Sequence, residues 1–148
     1  MRTLLLALVL VGCGTSSQVD EYKKKSMETE ARLQLNKLSK IARMLHAEKN
    51  AYPIGSTGLT PSKSCCEQPD KRCPPVWEIW NTELWHALDF VVDEPHRFQY
   101  SYESADGQTF VAKAIGDVDC DGTSTTFTIT GKTGPAGAEV DTSQIVTR

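Results

Sequence analysis

Apolar and polar positions along this chain follow three different rhythms. The first is an unbroken run. Leu4 to Val11 is continuously apolar and stands behind Arg2. It is far shorter than the roughly 20 residues a helix needs to cross a bilayer. A charged start, a short apolar middle and the small residue Gly12 describe an export signal instead. The second rhythm is helical. From Val19 to Asn50 there is no proline or glycine, and Ala31, Leu35, Leu38, Ala42 and Leu45 recur at spacings of 4, 3, 4 and 3. These positions share one helix face. Ile41 and Met44 widen the stripe, while Glu30, Lys37, Lys40 and Arg43 occupy other faces, so the spacing predicts an amphipathic helix lying against a core. Its beginning, Asp20 to Lys25, is almost wholly polar and reads as a stalk or a frayed end. The lysines Lys23 to Lys25 are either solvated or able to meet lipid headgroups. Asn50 and Tyr52-Pro53 supply the stop.

The third rhythm is alternation. Phe98, Tyr100 and Tyr102 alternate with polar neighbours, as do Phe110, Ala112 and Ala114, which predicts a hairpin turning at Asp106-Gly107. Phe127 and Ile129 mark a third strand over Thr125 to Thr130. The glycine-rich end from Gly131 reads as irregular, with a short edge strand over Gln144 to Thr147. Between helix and strands, Ile54 to Pro75 collects glycine, proline and cysteine and predicts a loop. Trp77, Trp80, Leu84 and Leu88, with Trp85 beside them, predict a short helix or turn that buries an aromatic face. No connection between the strands is long enough for a parallel crossover. The fold class is therefore α+β, a long N-terminal amphipathic helix packed on a small antiparallel sheet.

Composition narrows this further. With 148 residues, 39% apolar and 24% charged, the chain suits a single globular domain. A domain this small leaves about a third of its unfolded surface exposed, so cross-links would help it. The net charge of −3 supplies no basic field and argues against nucleic acid as a partner.

The apolar run ends in Leu10-Val11-Gly12-Cys13, which resembles the lipobox of bacterial lipoproteins. The resemblance implies cleavage before Cys13 and acylation of its thiol and new amino group, palmitate included. Because Gly14 is not acidic, it also implies sorting to the outer membrane. Residues 1–12 are then a lipoprotein signal peptide, 13–18 a lipid anchor and polar tether, and 19–148 the folded domain. The membrane becomes a partner through the lipid on Cys13. The competing expectation is an ordinary secretory signal with Cys13 incidental.

Setting Cys13 aside leaves Cys65, Cys66, Cys73 and Cys120, an even number in an oxidising compartment. Two disulfides are expected, with three pairings open. Joining the adjacent Cys65 and Cys66 would strain a small ring. The preferred pairing is Cys66 with Cys73 and Cys65 with Cys120, the longer closure stabilising the fold by about 3 to 5 kcal/mol. A zinc site is the rival, but the spacing lacks a paired CxxC.

Asp117, Asp119 and Asp121 followed by Gly122 form D-x-D-x-D-G, a spacing at which alternate carboxylates can converge on calcium. The twelfth position is Thr128 rather than a bidentate glutamate. The other reading is an Asp/Gly turn that bonds its own backbone. Trp77, Trp80 and Trp85 are either a platform for glycan or peptide or part of the core. His46, His86 and His96 are scattered, and no recognised motif sets a serine or cysteine nucleophile beside them. His46 is expected at the surface or its boundary. No catalytic site is predicted.

Four segments taken together carry a second resemblance. Glu48-Lys49-Asn50-Ala51-Tyr52-Pro53, Trp85-His86-Ala87-Leu88-Asp89-Phe90, Phe98-Gln99-Tyr100-Ser101-Tyr102 and Ala114-Ile115-Gly116-Asp117-Val118-Asp119-Cys120-Asp121-Gly122 resemble, in order, the globular part of bacterial type IV pilins and pseudopilins. The similarity is greatest to forms with a cysteine-rich loop and an aspartate-rich turn. It runs over roughly Glu28 to Ile129 and implies pilus or type II secretion proteins as partners. The chain departs from the family where pilins carry a long apolar N-terminal helix behind a prepilin-peptidase site. Asp20, Glu21 and three lysines stand in that place, and burying unpaired charges in an apolar filament bundle would cost several kcal/mol each. The combined expectation is a pilin-like head on a lipid anchor, with a structural or interaction role. A minor pilin or pseudopilin and a glycan- or small-ligand-binding module are the alternatives.

Overall fold

A computed structural model describes residues 16–147. Helix α1 spans Ser16–Lys49, followed by β1 (Gly55–Ser56), the short helix α2 (Glu83–Ala87), β2 (Gln99–Ser104), β3 (Thr109–Gly116), β4 (Thr125–Gly134) and β5 (Gly137–Thr147). The strands pair antiparallel in sequence order, β1-β2-β3-β4-β5. The protein is thus α+β, and a meander with short connections is what that strand order requires.

The predicted stripe of α1 is its buried face: Ala31, Leu35, Leu38 and Ala42 are fully buried and Leu45 nearly so. Ile41 is partly buried at the margin and Met44 faces solvent. The helix ends where Asn50 adopts a left-handed φ of 55° and its N–H caps the His46 carbonyl at 2.8 Å, a stop that asparagine tolerates better than most residues. At the other end α1 reaches back to Ser16, so the last three residues of the expected tether, Ser16 to Gln18, are helical. The expected signal peptide and the expected lipidation site Cys13 lie outside the described residues.

α1 crosses β3, β4 and β5 on one face of the sheet. Small residues make room beneath it. Ala112 and Ala114 on the central strand stand opposite Ile129 and Phe127 of β4 and Tyr102 and Tyr100 of β2, and all six are buried. The β1–β2 side of the same face is covered by the segment holding Trp80, Trp85 and Phe90, whose rings lie 5.2 to 5.7 Å apart by centroid. Trp85 is fully buried and donates its indole N–H to Thr60 Oγ1 at 2.8 Å. Lys37 ties helix to segment by donating to the Val91 carbonyl at 3.0 Å. On the opposite face Glu103, Lys113 and Thr130 are exposed, the one-sided solvation expected of an antiparallel sheet.

The chain end departs from expectation. The stretch from Gly131 completes β4 and returns as an 11-residue β5, which contains the edge strand expected over Gln144 to Thr147 and begins seven residues before it. Two glycines explain this. Gly137 takes a φ of 114° at the turn, which side chains disfavour. Gly131 stands opposite Phe110 in the register, and a Cβ there would collide with the Phe110 ring.

Candidate functional site

Two features that are separate in sequence, the cysteine loop and the aspartate turn, meet beside the first third of α1. Ser64 caps a turn of 3-10 helix over Cys65–Glu67, which sends the side chains of the adjacent cysteines to different partners. Cys65 pairs with Cys73 across 4.7 Å between Cα atoms, and Cys66 pairs with Cys120 across 5.6 Å. Both disulfides expected from the cysteine count are present, but the preferred pairing is corrected. Cys65 is buried next to Cys73, whereas Cys66 is only partly buried and sits by the Asp117 carbonyl, where Cys120 is within reach.

The aspartate turn is organised by its own backbone. Asp117 Oδ1 accepts from the Asp121 N–H at 3.1 Å and its Oδ2 from the Gly122 N–H at 2.7 Å, while Asp121 Oδ1 accepts from the Thr123 N–H at 2.8 Å. Carboxylate oxygens of Asp117, Asp119 and Asp121 lie within 4.8 Å of one another. Asp119 is matched by a cation: Lys24 Nζ stands 3.1 Å from Oδ2 and 3.3 Å from Oδ1. The hydrogen bond to Asp119 raises the Lys24 pKa against a smaller desolvation effect. For Asp119, desolvation pushes the carboxyl up, but the Lys24 hydrogen bond and charge outweigh it and the pKa falls below the ordinary range. A calcium ion would therefore have to displace an ammonium and share a carboxylate already engaged by backbone N–H groups. The polar start of α1, expected as a stalk or a frayed end, is helical and pinned to the domain by this same pair.

His96, one of three scattered histidines in the sequence, is brought by the fold to the cysteine loop. It is 1% exposed, and a ring nitrogen lies within 4.8 Å of the sulfurs of Cys65 and Cys73. Its backbone forms an isolated antiparallel bridge with Cys73, with N–H to carbonyl distances of 2.7 and 3.1 Å. Nδ1–H donates to the Glu94 carbonyl at 2.9 Å, and Nε2 finds no partner among the described residues. Burial, offset in part by the Glu94 bond, lowers its pKa below 6.5. No local motif flags this arrangement, because the bridge joins two loops far apart in sequence.

The remaining candidates separate. Trp80 and Trp85 are core, at 3% and 0% exposure, and Trp77 alone is exposed, at 61%. A three-tryptophan platform is therefore not formed. Trp77 borders a shallow groove of about 250 Å³ with Asn81, His86 and Val91. A larger open groove of about 720 Å³ runs between Ala51 to Thr57 and Thr82 to Ala87. His86 is exposed. His46, expected at the surface or its boundary, is 2% exposed, because β4 extends over it and brings Thr133 Oγ1 to 2.8 Å from its Nε2.

Among the described residues no helix is long and apolar enough to cross a membrane. No protein-family model, curated protein sequence or solved structure matches this chain.

Proposed function

We propose that this protein is a lipid-anchored component of the bacterial cell envelope whose pilin-like domain has a structural or protein-interaction role rather than a catalytic one. The observation that carries the reading is a succession: Leu10-Val11-Gly12-Cys13 ends three residues before the first described turn of a 34-residue helix. Acyl chains on Cys13 would root that helix at the membrane, and more than one chain is needed for stable attachment. At about 1.5 Å per residue the helix is about 50 Å long, and its C-terminal two-thirds is built into the domain. The intervening turns expose Asp20, Glu21, Lys23 and Lys25, as suits a spacer in water and not a segment buried among apolar helices.

A long helix, then a cross-linked loop, then an antiparallel meander packed under the helix supports a pilin-like assignment. The same order favours the second reading, a minor pilin or pseudopilin acting in a pilus or type II secretion system. The two differ in what holds the protein to the envelope. Fractionation of cells expressing the full chain separates them. In our reading the wild type requires detergent for extraction and starts at an acylated Cys13, whereas Cys13→Ser carries no acyl chain and keeps residues 1–12 unprocessed. Co-sedimentation of Cys13→Ser with filaments, at wild-type levels, would favour the pilin.

A further inference from the structure

The Cys65–Cys73 disulfide and His96 form a compact buried group whose parts are held in place independently of the sulfur–sulfur bond. Cys73 and His96 are locked side by side by their two-bond backbone bridge. Cys65 is held by its 3-10 turn, whose Ser64 cap accepts from the Cys66 N–H. The His96 ring is fixed as well. Its Nδ1–H is given to the Glu94 carbonyl, so Nε2 carries the lone pair and has no partner among the described residues although the side chain is 1% exposed. A backbone carbonyl on one ring nitrogen, orienting the other, is how metal-binding histidines are usually held. A buried polar atom without a partner calls for an explanation.

We propose that Cys65, Cys73 and His96 form a latent site for a thiophilic cation of the zinc(II) class, closed while the cysteines are joined and opened by a dithiol reductant. The electrons and protons balance. The dithiol gives two electrons and two protons to the Cys65–Cys73 bond, leaving two thiols on the protein and a disulfide on the reductant. Zinc then takes both sulfurs as thiolates, releasing the two protons to solvent, and His96 Nε2 donates its lone pair with no proton lost. Two thiolates and one imidazole are a ligand set that zinc accepts, with a fourth position left for an exogenous ligand. The sequence offered no paired CxxC for such a site; the third ligand comes from His96, across the bridge.

The test uses the full folded domain with its native tether. Oxidised and phosphine-reduced protein are titrated with cobalt(II), followed by the thiolate-to-cobalt charge-transfer absorption, and then with zinc(II) against a chromophoric chelator. The expected result is no uptake by the oxidised protein and one equivalent by the reduced protein. His96→Gln should weaken binding by at least about tenfold. The double variant Cys66→Ser/Cys120→Ser should keep binding after reduction, and Cys65→Ser/Cys73→Ser should lose it. Equal binding by His96→Gln and wild type would overturn the proposal, as would uptake that follows Cys66 and Cys120. Loss of the folded far-ultraviolet dichroism on reduction would also overturn it, since the ligands would then have no frame to hold them.

Discussion

Lys24 and Asp119, 95 positions apart in the chain, form an ion pair of 3.1 Å that fastens the early part of α1 to the loop after β3. The side chains are 24% and 43% exposed, so water and salt screen the attraction and its contribution to stability is at most about 1 kcal/mol. Its larger consequence concerns cations. With Asp119 held by an ammonium and Asp117 bonded to two backbone N–H groups, wild-type protein should bind calcium no more tightly than about millimolar. Lys24→Ala should bind it more tightly while losing under about 1 kcal/mol of stability. Isothermal titration of both proteins checks this, and saturation of the wild type at micromolar calcium would contradict it.

The two disulfides should contribute unequally. The Cys66–Cys120 link closes a separation of 54 residues and the Cys65–Cys73 link one of 8. If restriction of the unfolded chain dominates, loss of the first costs about 4 kcal/mol and loss of the second about 2.5 kcal/mol. Urea unfolding of the paired Cys→Ser variants measures both. A non-reducing peptide map should show Cys65 with Cys73 and Cys66 with Cys120, and the crossed peptides would refute the pairing.

The tryptophans should divide by burial. Trp85 is fully buried with its N–H on Thr60, so Trp85→Ala should destabilise the domain by about 3 to 5 kcal/mol. Trp77 is mostly exposed, and Trp77→Ala should stay within about 0.5 kcal/mol of wild type. Thermal or denaturant unfolding distinguishes the two, and a comparable loss at both positions would show that Trp77 is packed.

Most of the helix and the central hairpin were legible because their periodicity is local: Ala31, Leu35, Leu38, Ala42 and Leu45 announce a buried face on spacing alone. The β4–β5 hairpin was not, since Gly131, Gly134 and Gly137 read as loop residues until the Phe110 ring that lies over Gly131 is known. The burial of His46 followed from the same omission, as its partner Thr133 sits on the part of β4 that the pattern hides. The number of disulfides followed from an even cysteine count, but the pairing depended on which way a single 3-10 turn aims two adjacent side chains. His96 gave no signal, because its neighbours Cys65 and Cys73 reach it only through the folded loop.

His96 also sets a pH dependence. Burial holds its folded pKa below the ordinary 6.5, so between the two values the unfolded chain binds more protons. Its contribution is complete above about pH 6.5 and is lost as the pH falls toward the folded value. Urea midpoints should therefore decline as the pH falls below about 6.5, and His96→Gln should flatten that decline. An unchanged slope in the variant would assign the acid sensitivity elsewhere.

The proposed role stands on covalent lipid at Cys13 holding this domain at the membrane. Intact-mass and peptide mass spectrometry of the protein purified from its own envelope addresses that claim directly. An N-terminal peptide beginning at Cys13 and carrying acyl chains is the expected result. An N-terminus upstream of Cys13, or an unmodified Cys13 in membrane-derived protein, would contradict it.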